Sequence, residues 1–153
     1  MGSILASLIQ PVYPLEIYKN QILIIKITSG DSGQANTSQD MRYDIGVLLN
    51  GLKIDWKTTW NIEIPYNSLY PSIRADKNGK VLLVYAKEST KIQASELMYV
   101  TGKITSEYKI VWEKAAYCYD LGLFPSLAYR PGKGFLELHA DKDSQLSMRF
   151  SNS

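Results

Sequence analysis

A short string occurs twice in this chain at a fixed distance, and that recurrence limits the fold more than any other feature. Leu69-Tyr70-Pro71-Ser72-Ile73-Arg74-Ala75 returns 54 residues later as Leu123-Phe124-Pro125-Ser126-Leu127-Ala128-Tyr129. Val12-Tyr13-Pro14-Leu15-Glu16-Ile17 is a looser copy, its proline 57 residues before Pro71. Further landmarks keep the same distance. Met41-Arg42-Tyr43-Asp44-Ile45-Gly46 matches Leu97-Met98-Tyr99-Val100-Thr101-Gly102, and Ile54-Asp55-Trp56 matches Ile110-Val111-Trp112, both at an offset of 56. Met148-Arg149-Phe150 is a truncated version of the former. An ordered set of matches at one spacing marks a copied structural unit.

Each unit reads as four strands in about 55 residues. Val, Ile, Tyr and Trp fill the segments, while Gly, Asn, Asp and Ser fill the breaks. Asn78-Gly79 before Val81-Leu82-Leu83-Val84-Tyr85 suggests a hairpin with a type I′ turn. No segment sustains a helical period over three turns, so the chain is expected to be all-β. The units run over 11–68, 69–122 and 123–153, the last completed by residues 1–10. The third unit reaches only its third strand, which would leave a sheet edge unpaired. Ile4-Leu5-Ala6-Ser7-Leu8-Ile9-Gln10 stands where the missing fourth strand would fall, so the two ends are expected to meet.

Tyr70-Pro71-Ser72-Ile73-Arg74-Ala75-Asp76, followed by Asn78-Gly79 and Val81-Leu82-Leu83-Val84-Tyr85, resembles blades of bacterial β-propellers of the BNR or sialidase type. The resemblance implies three propeller blades in a lectin-like, non-catalytic protein. The sialidase-type Asp-box is Ser-x-Asp-x-Gly followed by an aromatic. Ser29-Gly30-Asp31-Ser32-Gly33 fits its start, but Asn36 stands at the aromatic position. Propellers need about 4–8 blades, so three imply completion by a second chain and a head-to-tail homodimer. The alternative is a monomeric β-trefoil, which also has three four-stranded units.

Composition narrows the function classes. A formal charge of +2, with no cluster of Lys or Arg, gives no nucleic-acid footprint. No apolar run approaches the ~18 residues of a membrane helix. The start of the chain, Met1 to Ile9, lacks the basic residues of a secretory signal and reads as a first strand; the compartment stays open. One cysteine excludes an internal disulfide, and Cys118 is expected to be a buried thiol. One histidine, with no phosphate loop or dinucleotide fingerprint, leaves no metal, cofactor or catalytic set to expect. Gly30-Asp31-Ser32-Gly33 has a serine-protease look, but His139 follows rather than precedes it, so the segment reads as a polar loop. Asp141-Lys142-Asp143-Ser144 reads as a solvated turn, lacking the Gly and terminal Glu of a calcium loop.

Eleven tyrosines and three tryptophans are the remaining signal. Trp56 and Trp112 match between units, as do Tyr43 and Tyr99, whereas Trp60 has no counterpart and is expected to be exposed. Glu137 and His139 share a strand face; His139 aligns with Tyr85 and is expected at a strand edge. Trp56, Trp60, Trp112, Tyr43, Tyr99, Glu137 and His139 form the candidate ligand-binding set. Repeated aromatic platforms suit sugars, and repeated weak sites gain avidity. The expected function is a non-enzymatic carbohydrate-binding module for a glycan or glycoprotein. The alternatives are a protein-interaction scaffold, the cell-binding part of a bacterial toxin, and a sialidase-like glycosidase.

Overall fold

The computed structural model describes residues 16–18, 21–29, 41–49, 53–62, 68–87, 95–113 and 116–151. The expected strand at Ile4 to Gln10, the first proline motif at Pro14 and the loop from Gly30 to Asp40 lie outside them. The described residues are all-β, without helix: β1 (Glu16–Tyr18), β2 (Gln21–Ser29), β3 (Met41–Leu48), β4 (Ile54–Ile62), β5 (Ser68–Ala75), β6 (Lys80–Lys87), β7 (Glu96–Ile104), β8 (Ile110–Trp112), β9 (Tyr117–Arg130), β10 (Gly134–Asp141) and β11 (Leu146–Ser151).

They form two open antiparallel sheets. One is four-stranded, ordered β1-β2-β3-β4; the other is seven-stranded, ordered β11-β10-β9-β7-β6-β5, with β8 also paired to β7. Sequential strands pair with their neighbours in three meanders, β1–β4, β5–β8 and β9–β11. The 14-residue β9 joins the last two. Its start pairs with β7 (Leu97 opposite Asp120), and its remainder pairs with β10 (Phe135 opposite Tyr129). It therefore runs unbroken across the expected boundary between residues 122 and 123.

Backbone chemistry explains the turns. Asp76 Oδ1 accepts the N–H groups of Asn78 and Lys80, both at 2.8 Å. Thr105 Oγ1 accepts those of Glu107 and Lys109, and Asp141 Oδ1 those of Asp143 and Gln145. In each loop the third residue after the cap, Gly79, Tyr108 or Ser144, has positive φ. This is a type I turn closed by one left-handed residue. The expected type I′ turn at Asn78-Gly79 is thereby corrected, because the Asp76 carboxylate organises a three-residue loop in which only Gly79 needs positive φ. The solvated-turn expectation for Asp141 to Ser144 describes the third of these loops.

Two of the sequence matches coincide with matching geometry. Tyr70 (φ 53°) and Phe124 (φ 56°) are both left-handed, each at a register shift just before Pro-Ser, and their rings meet at 4.6 Å. Such a conformation costs an aromatic residue about 1–2 kcal/mol, which the paired rings and the bulge offset. Gly46 lies opposite Trp56, as Gly102 lies opposite Trp112. A Cβ at either glycine would stand 2.8 Å or 3.1 Å from the six-membered ring of its tryptophan, so neither position has room for a side chain.

The core has two layers, one on each face of the central meander. Leu23, Ile25, Ile27, Tyr43, Ile45 and Val47 of the first sheet pack on Ile73, Val81, Leu83, Tyr85, Val100, Ile104 and Ile110. Leu82 and Val84, on the opposite face of β6, pack on Leu127 and Phe135. This accounts for the uninterrupted apolar run from Val81 to Ala86: a strand covered on both faces has no solvent side to alternate with.

Candidate functional site

Among the described residues the second layer is smaller than the first, and the site lies beside it. Strand alternation turns Lys80, Leu82 and Val84 of β6, with Tyr99 and Thr101 of β7, toward the last meander. Phe135 and Glu137 of β10, Tyr119 of β9 and Arg149 of β11 face them, with Phe150 of β11 at the rim. Together these ten residues line a pocket of about 280 Å³. Its floor is apolar (Leu82, Val84, Phe135), and its walls are aromatic and charged.

The aromatic wall is continuous. Tyr99 stacks on Tyr117 at 5.6 Å and meets Tyr119 at 6.1 Å. Behind it, Tyr119 donates its hydroxyl hydrogen to Glu137 Oε1 at 2.9 Å, and the Arg149 guanidinium lies 5.8 Å from the Tyr119 ring centre. Burial, reinforced by the Glu137 carboxylate, raises the Tyr119 phenol well above its usual range.

His139 anchors the charged wall from inside. Its Nδ1 lies 2.9 Å from Glu137 Oε2, and its Nε2 lies 3.4 Å from Asp120 Oδ2 without hydrogen-bond geometry. Arg149 donates to that same Asp120 oxygen at 2.6 Å. Burial works against the charge of Asp120, but the Leu121 N–H and the Arg149 guanidinium outweigh it and hold the carboxyl below its ordinary range. The result is a chain of polar groups, Glu137, His139, Asp120 and Arg149, that fixes both the acceptor and the donor facing the pocket. Both ring nitrogens of His139 face carboxylates, and its side chain is fully buried. Among the described residues, no group of three or more His, Cys, Asp or Glu is arranged to hold a metal ion.

The expected binding residues fall in three places. Tyr99 and Glu137 line this pocket, with His139 behind them. The expectation of a strand edge for His139 is corrected: β10 lies between β9 and β11, and the imidazole is buried between two carboxylates. Tyr43, Trp60 and Trp112 belong to the other junction. There the Tyr43 hydroxyl accepts the Ile110 N–H at 2.8 Å, and its ring meets Trp112 edge-on at 6.0 Å. Trp60 is not fully exposed as expected; it packs on the first core layer with the Lys109 ammonium 4.4 Å above its ring. Trp56 stands alone on the outer face of the first sheet, 47% exposed.

Cys118, expected to be buried, is exposed, because β9 turns it away from both core layers. Tyr119 and Arg149 of the pocket, and Asp120 behind them, are residues that sequence matching passes over, since none has a counterpart doing the same work in another unit. A larger cavity of about 1020 Å³ adjoins the site at Lys80 and is lined by Asn78, Lys103, Trp112, Glu113 and Tyr129 among others. No protein-family model matches the sequence, and comparison with curated proteins and with solved structures finds no significant match.

Proposed function

We propose that the chain is a non-enzymatic carbohydrate-binding module built from consecutive propeller-type blades. The observation that carries this reading is the pocket between the central and last meanders, where Tyr99 and Tyr119 stand beside Glu137, Arg149 and Thr101. Sugar rings present C–H faces that lie against aromatic side chains, and hydroxyls that pair with carboxylates, guanidinium groups and Thr hydroxyls. The volume sits just below the ~300–1,000 Å³ of ordinary small-ligand pockets, which suits one saccharide ring.

The fixed charges support binding rather than turnover. Glu137 is committed to Tyr119 and His139, and the fully buried His139 to Glu137, so neither of the two is placed to exchange protons with a substrate. Three meanders in sequence, with their faces packed in two layers, support blades over a trefoil. So do the matched bulges at Tyr70 and Phe124 and the matched Gly46–Trp56 and Gly102–Trp112 pairs.

Calorimetric titration of the full chain with a panel of neutral, amino and acidic monosaccharides tests the binding reading. At least one sugar should bind, and Tyr99→Ala should weaken it tenfold or more, about 1.4 kcal/mol. No binding to any sugar at millimolar concentration, or binding indifferent to Tyr99, would refute it.

A further inference from the structure

The stack of sheets ends in two faces that no described sheet covers; the last is apolar, and the first carries apolar residues beside Lys26, Arg42 and Asp44. On the last meander, β10 and β11 turn Leu136, Leu138 and Ala140, opposite Phe150, Met148 and Leu146, away from the core. Leu146 is 80% exposed, Phe150 70% and Met148 56%. At the other end, the outer face of the first sheet carries Trp56 over Gly46, with Ile22 also exposed.

The interior shows what covers such faces. Register equivalence places Leu136 and Leu138 at the positions of Leu82 and Val84, since Ser72 pairs with Val84 as Ser126 pairs with Leu138. Leu82 and Val84 are buried beneath the next meander. At the other end, Leu48, Ile54 and Trp56 occupy the positions of Ile104, Ile110 and Trp112. Ile104 and Ile110 are buried beneath the preceding sheet, where the Tyr43 ring meets Trp112. Each bare face is therefore the counterpart of a face that is covered elsewhere in the same molecule, and the covering surface in each case is equivalent to the opposite end of the stack.

From this correspondence we infer that the two ends dock on each other between two copies of the chain, with the β10–β11 face of one copy against the Trp56 face of the other. The contact is heterologous, head to tail, and two such contacts close a ring of two chains. Apolar sheet faces of this kind are what association removes from water. This inference stands on the bare faces alone and does not depend on the sugar-binding reading.

Sedimentation equilibrium of the full chain, at micromolar and tenfold higher concentration, tests it. The expected mass is twice the 17.3 kDa of the chain. Trp56→Asp and Phe150→Asp should each return it to the single-chain mass with an unchanged far-ultraviolet spectrum. Leu146→Lys replaces Phe150→Asp if that variant misfolds. A single-chain mass for the unaltered protein would overturn the inference, as when residues 1–15 or a different protein cover the face. A double mass that survives Trp56→Asp would also overturn it, since that describes a face-to-face pair.

Discussion

The two junctions flanking the central meander use equivalent strand positions and come out chemically opposite. At the first, Tyr43 is buried and its hydroxyl closes on the Ile110 backbone, so the layer is sealed. At the second, the matching Tyr99 has no fourth strand of the last meander opposite it among the described residues, and it lines an open pocket. Leu83 and Tyr85 lie in the first layer. Their counterparts in the last meander, Glu137 and His139, are a buried hydrogen-bonded pair in the second. The last meander thus differs from the central one at two core positions, where a hydrogen-bonded acid and base stand in place of Leu83 and Tyr85.

The sharpest way to break the comparison is at that exchange. Glu137→Leu should destabilise by about 1–3 kcal/mol, the cost of leaving the Tyr119 hydroxyl and the buried His139 ring without their hydrogen-bond partner, read from urea unfolding. Adding His139→Tyr, which restores the chemistry of the sealed junction, should recover part of that loss. No recovery would mean that the two layers are not interchangeable.

Leu83→Ala, in the sealed layer, should cost about 2–5 kcal/mol, while Leu82→Ala should sit at or below the lower end of that range. The reason is that Leu82 borders a pocket already open to solvent, so its truncation creates less enclosed void. Equal losses would contradict the contrast between the layers.

Tyr43→Phe should cost about 1–3 kcal/mol, because the Ile110 N–H would be left buried without its acceptor. Tyr85→Phe should be nearly neutral or slightly stabilising at pH 7, since its buried hydroxyl has no partner. It should also reduce alkaline unfolding. Burial raises the Tyr85 pKa from 10.0 to about 12. The folded state therefore keeps this residue's contribution below pH 10 and loses it as pH climbs from there through 12. A Phe at this position has no proton to lose, and an unaltered alkaline transition would show that Tyr85 plays no part in it.

Much of this architecture is legible in the sequence, because repeated strings mark repeated backbone demands. Tyr70-Pro71-Ser72 and Phe124-Pro125-Ser126 encode the same left-handed bulge, and Gly46 and Gly102 the same close approach of a tryptophan. Repeat matching is weaker at finding function, since a site arises where the units differ. It singled out Tyr99 because Tyr43 matches it, yet the match could not say which tyrosine would be sealed. Asp120 and Arg149 lie 29 residues apart and meet only because β9 and β11 flank β10. Cys118 sat in a strand-like run and was expected inside, but a run of that kind does not reveal which face of β9 meets a neighbour.

The most direct test is to follow backbone amide resonances while the full chain is titrated with the tightest-binding monosaccharide. Shifts should concentrate at Thr101, Tyr119, Glu137 and Arg149, leaving Tyr43 and Ile110 where they were. Shifts centred on Trp60 and Trp112, or spread evenly over both junctions, would show that the open junction is not the binding site.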